Sequence, residues 1–299
     1  MAVGSLSRDQ LLDPEFIESV HRLRIVARRV PRGGRYAEQL SQDLGSGTDF
    51  RDFRPYSPGD DFRSIDWNIY RRLGKVFLRL YEELEDLPLY LMPDISDSMF
   101  MEDSPRIVAG LKAALALAAI SLDQHDSVGI FPFAEESQLL MPPQAGASRL
   151  TQLADRMAEV TASGNTSLVS SLHGMNRFQL RQGLLVVVSD FFDPAGIDEI
   201  LNALKRVRHR LLLVQLVRRS DRHPDVSGDV RLIDCESQQA EDVSVTGPVL
   251  ERYQAAYDRF QTSLTDFVKR RKAGLLQIDV EQDVIGQLAR LFEAGSYQA

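Results

Sequence analysis

The stretch LYLMPDISDSM, residues 89–99, joins a short apolar run to alternating carboxylate and hydroxyl side chains. This pattern predicts a buried strand over 87–93 whose carboxyl end turns into a loop. The loop carries Asp94, Ser96 and Ser98, which offer one negative charge and two neutral hydroxyls. Oxygen donors of these types suit a hard divalent cation, Mg2+ or Mn2+, that keeps positions open for water or an incoming carboxylate. The stretch therefore predicts part of a metal site.

A turn with no ligand is the structural alternative for the same residues. Ser98 or Ser104 would cap the helix that follows, with Pro105 at its first position. The Asp-x-Ser-x-Ser spacing occurs by chance in roughly one in ten to twenty chains of this length. The spacing alone leaves both interpretations open.

Two later segments favour the metal site. Residues 163–167, SGNTS, form a polar turn between two helical patterns, and residues 183–190, GLLVVVSD, form a second buried strand that ends on a carboxylate. If the sheet is parallel, both strand ends and the loop with Thr166 open on the edge where α/β sheets bind their ligands. The predicted site then consists of Asp94, Ser96, Ser98, Thr166 and Asp190.

With this set of residues the chain resembles the von Willebrand factor A domain and its metal-ion-dependent adhesion site. The first motif is matched by Asp94, Ser96 and Ser98, the second by Thr166 and the third by Asp190. The resemblance implies that the hydroxyls bind the cation directly or nearly so, that the aspartates often act through water, and that an acidic side chain of a partner completes the shell. Asp97 departs from the family, because many members carry a small residue there, and it adds negative charge near the ion.

From residue 87 onwards, apolar strands alternate with helical patterns, as βαβ units do. Strands are predicted over 87–93, 126–134, 136–141, 183–189, 211–217, 229–236, 241–246 and 275–280, with 126–141 as a hairpin and 229–246 as an edge hairpin. Helices are predicted over 104–122, 147–162, 168–179, 195–208, 248–273 and 283–294. We expect an α/β fold of Rossmann type, with a doubly wound, mostly parallel sheet flanked by helices, which the resemblance implies to be von Willebrand factor A-like. The predicted division is a domain over 87–299 and an N-terminal helical and extended extension over 1–86 that packs on it.

The composition narrows the class of protein. A formal net charge of −8 argues against binding to nucleic acid, which needs a basic field. The single cysteine, Cys235, excludes an internal disulfide, fits a reducing compartment and is expected in the core or at an edge. The N-terminus lacks the features of a secretory signal, and the longest apolar helix, 107–122, is too short to span a bilayer convincingly. We therefore expect a cytoplasmic protein without a membrane span.

Basic residues are concentrated near the N-terminus. Between Val20 and Tyr36 there is no acidic residue, and the arginines are Arg22, Arg24, Arg28, Arg29, Arg32 and Arg35. One interpretation is a docking arm for an acidic partner. The other is a solvated face of a helix over 14–30, followed by a flexible Pro-Arg-Gly-Gly linker.

Residues 45–67, GSGTDFRDFRPYSPGDDFRSIDW, form a second charged region, which ends at the only tryptophan. Alternating Phe and Arg before a Pro-Tyr-Ser-Pro-Gly turn predict a strand, a tight turn and a second structured piece. Ion pairs between its arginines and aspartates would clamp the segment to the main domain. Acid–base chemistry by Asp60 or Asp61 is the alternative, and it needs a carboxylate held in a cleft with a displaced pKa.

This second region also resembles a known family, the uncharacterised family fifty-eight among domains of unknown function. The matching residues include Arg54, Tyr56, Gly59, Asp60, Asp61, Arg63, Asp66 and Trp67. In that family the signature precedes a von Willebrand factor A-like domain, and its genes often neighbour those of MoxR-type AAA ATPases. The resemblance implies an adaptor for such an ATPase. This chain contains no Gly-x-x-x-x-Gly-Lys-Ser/Thr loop, so the ATPase would be its partner.

The function expected from the sequence is a non-enzymatic, metal-dependent protein-binding module whose partner presents an Asp or Glu. A metal-dependent phosphohydrolase is the first alternative. Haloacid-dehalogenase-type phosphatases place a second Asp two residues after the nucleophile, whereas this chain has Ser96 there, and a hydroxyl cannot deliver the required proton at neutral pH. A scaffold with a degenerate metal site is the second alternative.

Overall fold

The computed structural model describes residues 11, 13–29, 49–57, 60–82, 87–101, 104–146 and 148–293. In chain order the strands are β1 Asp49–Pro55, β2 Phe77–Glu82, β3 Leu89–Pro93, β4 Val128–Ile130, β5 Met141–Gln144, β6 Leu184–Ser189, β7 Arg210–Val217, β8 Gly228–Ile233, β9 Ala240–Val245 and β10 Gly274–Asp279. The helices are α1 Pro14–Arg29, α2 Trp67–Leu73, α3 Arg106–Asp123, α4 Arg149–Ala158, α5 Leu168–Gly174, α6 Ile197–Arg206, α7 Arg219–Arg222, α8 Gly247–Arg271 and α9 Val284–Glu293.

The chain divides into two compact units. Residues 31–86 form the smaller one, and residues 87–299 form the larger one together with the N-terminal segment up to residue 30. Helix α1, which the sequence analysis assigned to the extension, therefore belongs to the larger unit. Its apolar stripe of Phe16, Val20 and Leu23 is buried in the core of that unit, because an apolar helix face must pack against another element.

A six-stranded sheet forms the centre of the larger unit, in the order β10-β7-β6-β3-β4-β5. All neighbouring strands are parallel except β4 and β5, which form an antiparallel pair. The predicted mixed α/β fold with a mostly parallel sheet is confirmed.

Helices cover both faces of this sheet, and successive residues of each strand point to opposite faces. In β3, Leu89 and Leu91 pack with α1, α3, α4 and α9 on one face, whereas Tyr90 and Met92 pack with α5, α6 and α8 on the other. Helix α3 is buried along nearly its whole length and is the core helix that the sequence predicted. Within the described part of the chain, no helix is both long and apolar enough to cross a membrane.

The winding of the chain fixes the position of the candidate site. From β3 the chain passes through α3 to β4 on one side, and it later returns to β6 on the other side of β3. Strands β3 and β6 are therefore neighbours at the point where the winding reverses, and α/β sheets bind ligands outside the carboxyl ends of such strands. Asp94 follows β3 directly, and Asp190 follows β6 directly.

The predicted strand over 136–141 and the predicted edge hairpin over 229–246 differ from the structure. β5 begins at Met141, where the predicted strand over 136–141 ends, and it contains Pro142 and Pro143. Proline cannot donate to a ladder, so this strand occupies the edge of the sheet. The β8–β9 hairpin forms a separate two-stranded sheet and is not part of the main sheet.

The smaller unit consists of an antiparallel β1–β2 pair, a 3-10 turn over Phe62–Ser64 and helix α2. Asp61 caps the 3-10 turn by accepting a hydrogen bond from the Arg63 N–H at 2.9 Å. Asp66 caps α2 by accepting from the N–H groups of the second and third helical residues at 2.8 and 3.0 Å. Asp61 and Asp66 are therefore the N-cap residues of the 3-10 turn and of α2.

Candidate metal centre

The loop after β3 folds around the Asp94 carboxylate, which is 1% exposed. Its Oδ1 accepts hydrogen bonds from the Ser96 N–H at 3.0 Å and the Ser96 hydroxyl at 2.7 Å. The hydroxyl oxygens of Ser96 and Ser98 lie 3.0 Å apart. Ser96 is fully buried and Ser98 half-buried, so these oxygens lead from the interior towards the surface.

The end of β6 holds the second oxygen of Asp94. The Ser189 hydroxyl donates to Asp94 Oδ2 at 2.7 Å and accepts from the Phe191 N–H at 2.9 Å. Phe191 is buried and has a φ of 63°, in the left-handed region that non-glycine residues avoid. Such strain, worth about 1–3 kcal/mol, is found mainly where the surrounding structure fixes a functional turn.

The loop that carries Thr166 is tied to the loop after β3. The Asp97 N–H donates to the Gly164 carbonyl at 2.9 Å, and the Gly164 N–H donates to Asp97 Oδ1 at 3.0 Å. The Ser163 N–H donates to the Ile95 carbonyl at 3.0 Å. Asp97, which the sequence analysis treated as extra charge near the ion, therefore also joins the two loops.

Thr166 is buried and contacts an acidic residue from the turn between β8 and β9. The backbone N–H of Thr166 donates to Glu236 Oε2 at 2.9 Å, and its hydroxyl donates to Glu236 Oε1 at 3.2 Å. Glu236 is half-buried and acts electrostatically on Asp94. The candidate site therefore already contains a carboxylate that the sequence analysis did not assign to it.

Asp190, at the end of β6, lies against a buried arginine. Its Oδ1 accepts from the Phe192 N–H at 3.0 Å, and its Oδ2 lies 3.6 Å from a guanidinium nitrogen of Arg106. Arg106 also makes a bidentate pair with buried Asp221, at 3.1 and 2.5 Å. One cation is thus shared between two buried carboxylates, which leaves the charge of Asp190 only partly balanced.

The pKa values of both aspartates are raised, and burial is the main cause. Burial raises the pKa of Asp94 to about 6, although hydrogen bonds from Ser96 and Ser189 oppose the increase. Burial and then the charge of Asp94 raise the pKa of Asp190 to about 7, against the opposing effect of Arg106. A cation placed between these groups would favour their ionised forms.

The donors fit a hard divalent cation in chemical kind, because all of them are oxygens. Hydrogen bonds link Asp94, Ser96 and Ser98 directly, Asp190 follows the serine that donates to Asp94, and Thr166 is connected through the paired loops. In the described ranges, no three His, Cys, Asp or Glu side chains form a metal-binding group. A metal here would therefore depend on the hydroxyls as well as the carboxylates.

The charged signature of the smaller unit forms a structural network. An Arg54 guanidinium nitrogen lies 2.8 Å from Asp60 Oδ1, and Asp60 Oδ2 accepts from the Ser57 N–H at 2.8 Å. These contacts lower the pKa of Asp60, opposite to what a general base at neutral pH requires. Among the described residues, no ion pair involves Arg63. Asp60 and Asp61 therefore serve local structure within the segment, and the expected clamp to the main domain stays a prediction.

Other members of the signature have distinct surroundings. Tyr56 stacks on Phe62 with ring centroids 5.8 Å apart, and Trp67 is 59% exposed and meets Tyr70 edge to face at 6.1 Å. Gly59 lies outside the described residues.

Two arginines of the arginine-rich segment form ion pairs within the chain. Arg24 pairs with Asp123 at the end of α3, and Arg22 pairs with Glu18 at 3.3 Å on the surface of α1. Arg32 and Arg35 lie outside the described residues, as do the side chains of Arg28 and Arg29. One of the two arginines whose side chains are described therefore braces the fold.

Four residues around the candidate site were not predicted from the sequence: Ser189, Arg106, Asp221 and Glu236. Ser189 had a local signal, because it is a polar residue at the end of a buried apolar strand. Arg106 and Asp221 are 115 residues apart, and Thr166 and Glu236 are 70 apart, so only the fold brings them together.

Comparison with known proteins places the chain in a family context. The family described as protein of unknown function DUF58 matches residues 52–263. An uncharacterised protein of Mycobacterium tuberculosis is 22% identical over 292 residues, which cover 96% of this chain and 92% of that protein. An uncharacterised protein of Mycobacterium avium is 23% identical over 128 residues, which cover 42% of this chain and 75% of that protein.

Two solved structures are distantly similar to the chain. The conserved hypothetical protein BatB from Bacteroides thetaiotaomicron has a TM-score of 0.42 and 12% identity, covering 71% of this chain and 98% of that one. The minor pilin PilB from Streptococcus sanguinis, as a D319A mutant, has a TM-score of 0.41 and 10% identity, covering 75% of this chain and 64% of that one. Likeness at this level says nothing about the site.

Proposed function

This chain belongs to the DUF58 family, and we propose that it is a non-enzymatic, metal-dependent protein-interaction module with a von Willebrand factor A-like fold. The proposed cofactor is one divalent cation, Mg2+ or Mn2+, at the carboxyl ends of β3 and β6. The proposed partner is a protein that presents an Asp or Glu side chain.

The role of each residue follows from its contacts. The hydroxyls of Ser96, Ser98 and Thr166 would provide direct oxygen ligands. Asp94 has both oxygens held by hydrogen bonds from Ser96 and Ser189, so it orients the serines and supplies negative charge. Asp190 supplies a second charge, which Arg106 partly offsets.

When bound, the cation would supply a Lewis-acidic position for a partner's carboxylate. Phe192, two residues after Asp190, would add an apolar contact beside it. This side chain is 42% exposed and packs near Tyr257 and Phe260, with ring centroids 6.4 and 5.2 Å away.

The observation that carries the proposal is the convergence of three separate segments on one edge of the sheet. Two buried carboxylates meet there with raised pKa values, next to three hydroxyls. Such a group of oxygens is stabilised by a cation far more than by any uncharged ligand.

The partner and the compartment are proposed from the resemblance described above. We propose a MoxR-type AAA ATPase as the partner and the cytoplasm as the compartment, with the chain acting as an adaptor in assembly or remodelling of protein complexes. Both oxygens of the Asp94 carboxylate accept hydrogen bonds. This favours a role in ligand binding over nucleophilic attack on a phosphoester, since a nucleophile needs a free oxygen.

Calorimetry with Mg2+ and Mn2+ tests the metal site. Asp94→Asn and Ser98→Ala should each lose binding, the second with its fold intact because Ser98 is half-buried. Asp198→Asn is the matched control, since it removes an exposed carboxylate from the first turn of α6 and should bind as the wild type does. Failure of the wild type to bind either metal would overturn the proposal and leave a scaffold with a degenerate site.

The adaptor role is tested by adding a purified MoxR-type ATPase from the same organism, with Mg2+ or with EDTA. Association should depend on the metal and be lost in Ser98→Ala. Association that persists unchanged in EDTA would show that any such complex uses another surface.

A further inference from the structure

The β8–β9 hairpin carries a carboxylate into the candidate site. Glu236, in the turn between the strands, accepts two hydrogen bonds from Thr166, at 2.9 Å from the backbone N–H and 3.2 Å from the hydroxyl. Thr166 is one of the proposed metal ligands. The Glu236 carboxylate therefore lies within contact distance of an atom that would bind the cation.

In the part of the chain that the structure describes, Glu236 has no counter-charge from a basic side chain. Among the described residues, no Lys, Arg or His pairs with it, and its charge acts on buried Asp94, which is also negative. Carboxylates that approach one another in a partly buried place repel, unless a cation lies between them. A divalent cation held by the hydroxyls of Ser96, Ser98 and Thr166 would provide that charge.

The hairpin has few other attachments. Its strands are mostly exposed and form their own sheet. Within the described part of the chain, the hydrogen bonds of residues 228–245 stay inside the hairpin, apart from the two that Glu236 accepts from Thr166. Isolated two-stranded hairpins are marginally stable, and segments with few buried contacts open most easily.

We propose that Glu236 is an internal ligand of the metal site, which occupies the position that an acidic side chain of the partner takes when the hairpin moves away. This inference rests on the proposed function. It identifies the partner chemistry as a carboxylate that replaces Glu236, and it makes hairpin docking and partner binding mutually exclusive.

The test compares Glu236→Gln with Glu241→Gln. Both variants remove one negative charge from the same hairpin with no loss of side-chain volume, but Glu241 is exposed on β9, and the hydrogen bonds from Thr166 go to Glu236. Each full-length protein is loaded with Mn2+, and its affinity is measured by calorimetry. Water-proton relaxation then reports how many water molecules bind to the metal.

In Glu236→Gln, we expect Mn2+ to bind about tenfold or more weakly, because a charged ligand is lost. The relaxation enhancement per bound Mn2+ should rise, since water enters the vacated position, and acetate should lower it again. Acetate should have little effect on the wild type and on Glu241→Gln, where Glu236 holds that position.

The two proposals fail in different ways. If the wild type binds no Mn2+, the proposed metal-dependent function fails. If the wild type binds Mn2+ and Glu236→Gln matches it in affinity, relaxation and response to acetate, the metal site stands and the internal ligand is refuted. If Glu241→Gln changes as much as Glu236→Gln, the effect is a general loss of hairpin charge and the specific role of Glu236 is also refuted.

Discussion

Two regions of this protein are rich in aspartate, and their carboxylates are in opposite situations. In the smaller unit, Asp60 and Asp66 accept hydrogen bonds from nearby backbone N–H groups, and the pKa of Asp60 is lowered. At the edge of the main sheet, Asp94 and Asp190 are buried close to each other, and their pKa values are raised. The same residue type is a structural cap where local donors satisfy it, and a candidate ligand where burial leaves its charge unbalanced.

The largest effect should come from removing the buried guanidinium of Arg106 at the sheet edge. Arg106→Gln leaves Asp190 and Asp221 buried without their guanidinium, and breaking a buried pair in this way costs about 3–5 kcal/mol. Chemical denaturation would measure the free energy of unfolding. Arg156→Gln, which breaks an exposed pair with Glu159, should cost less than about 1 kcal/mol. An equal loss of free energy of unfolding in the two variants would contradict the contrast between buried and locally satisfied carboxylates.

A second effect should appear in the pH dependence of the metal-free protein. The folded-state pKa of Asp190, about 7, lies above the ordinary value of 3.8, so the stability that this group contributes is complete below pH 3.8 and lost as pH rises through 7. Asp190→Asn cannot ionise. We therefore expect its stability relative to the wild type to increase by a few kcal/mol, in order of magnitude, between pH 4 and pH 8.

This pH effect is measured by urea unfolding of both proteins in EDTA at each pH. Saturating Mg2+ should stabilise the wild type at pH 8 and have little effect on the variant. If the difference in free energy of unfolding between the two proteins does not vary with pH, ionisation of Asp190 does not destabilise the fold.

The smallest effects should occur in the smaller unit. Asp66→Ala removes two capping hydrogen bonds from the start of α2 and should cost about 1 kcal/mol. Hydrogen exchange of the amides in 67–73 would detect this loss locally, with Asp198→Ala, which removes an exposed carboxylate from α6, as the control. No change in Mg2+ binding is expected. If Asp66→Ala weakened metal binding as strongly as Asp94→Asn, the division between capping and ligand carboxylates would be wrong.

Much of the fold follows from local pattern. The apolar runs before Asp94 and Asp190 are too regular to be loops, and parallel pairing brings their ends to one edge, so the sequence was sufficient to group these residues. Strand β5 lies at 141–144 and not at the predicted 136–141. It includes two prolines, which a strand tolerates at the edge of a sheet. Helix α1 needed an apolar partner, but its pattern does not say which unit supplies it.

The remaining parts of the site depend on contacts between distant segments. Nothing near Arg106 in the sequence indicates that it pairs with Asp221, and Glu236 lies in an ordinary polar turn. Charge balance depends on which distant residues the fold brings together, so a sequence pattern predicts which polar residues share a sheet edge better than it predicts their charge partners. The metal itself stays a prediction.

The single cysteine of the chain offers a practical consequence. Cys235 is half-buried in the hairpin turn, one residue before Glu236. A fluorescent dye coupled to this thiol would label one position without removal of any other cysteine. Its emission would report the proposed movement of the hairpin in real time, so candidate partners could be screened optically before any of them is identified by structure.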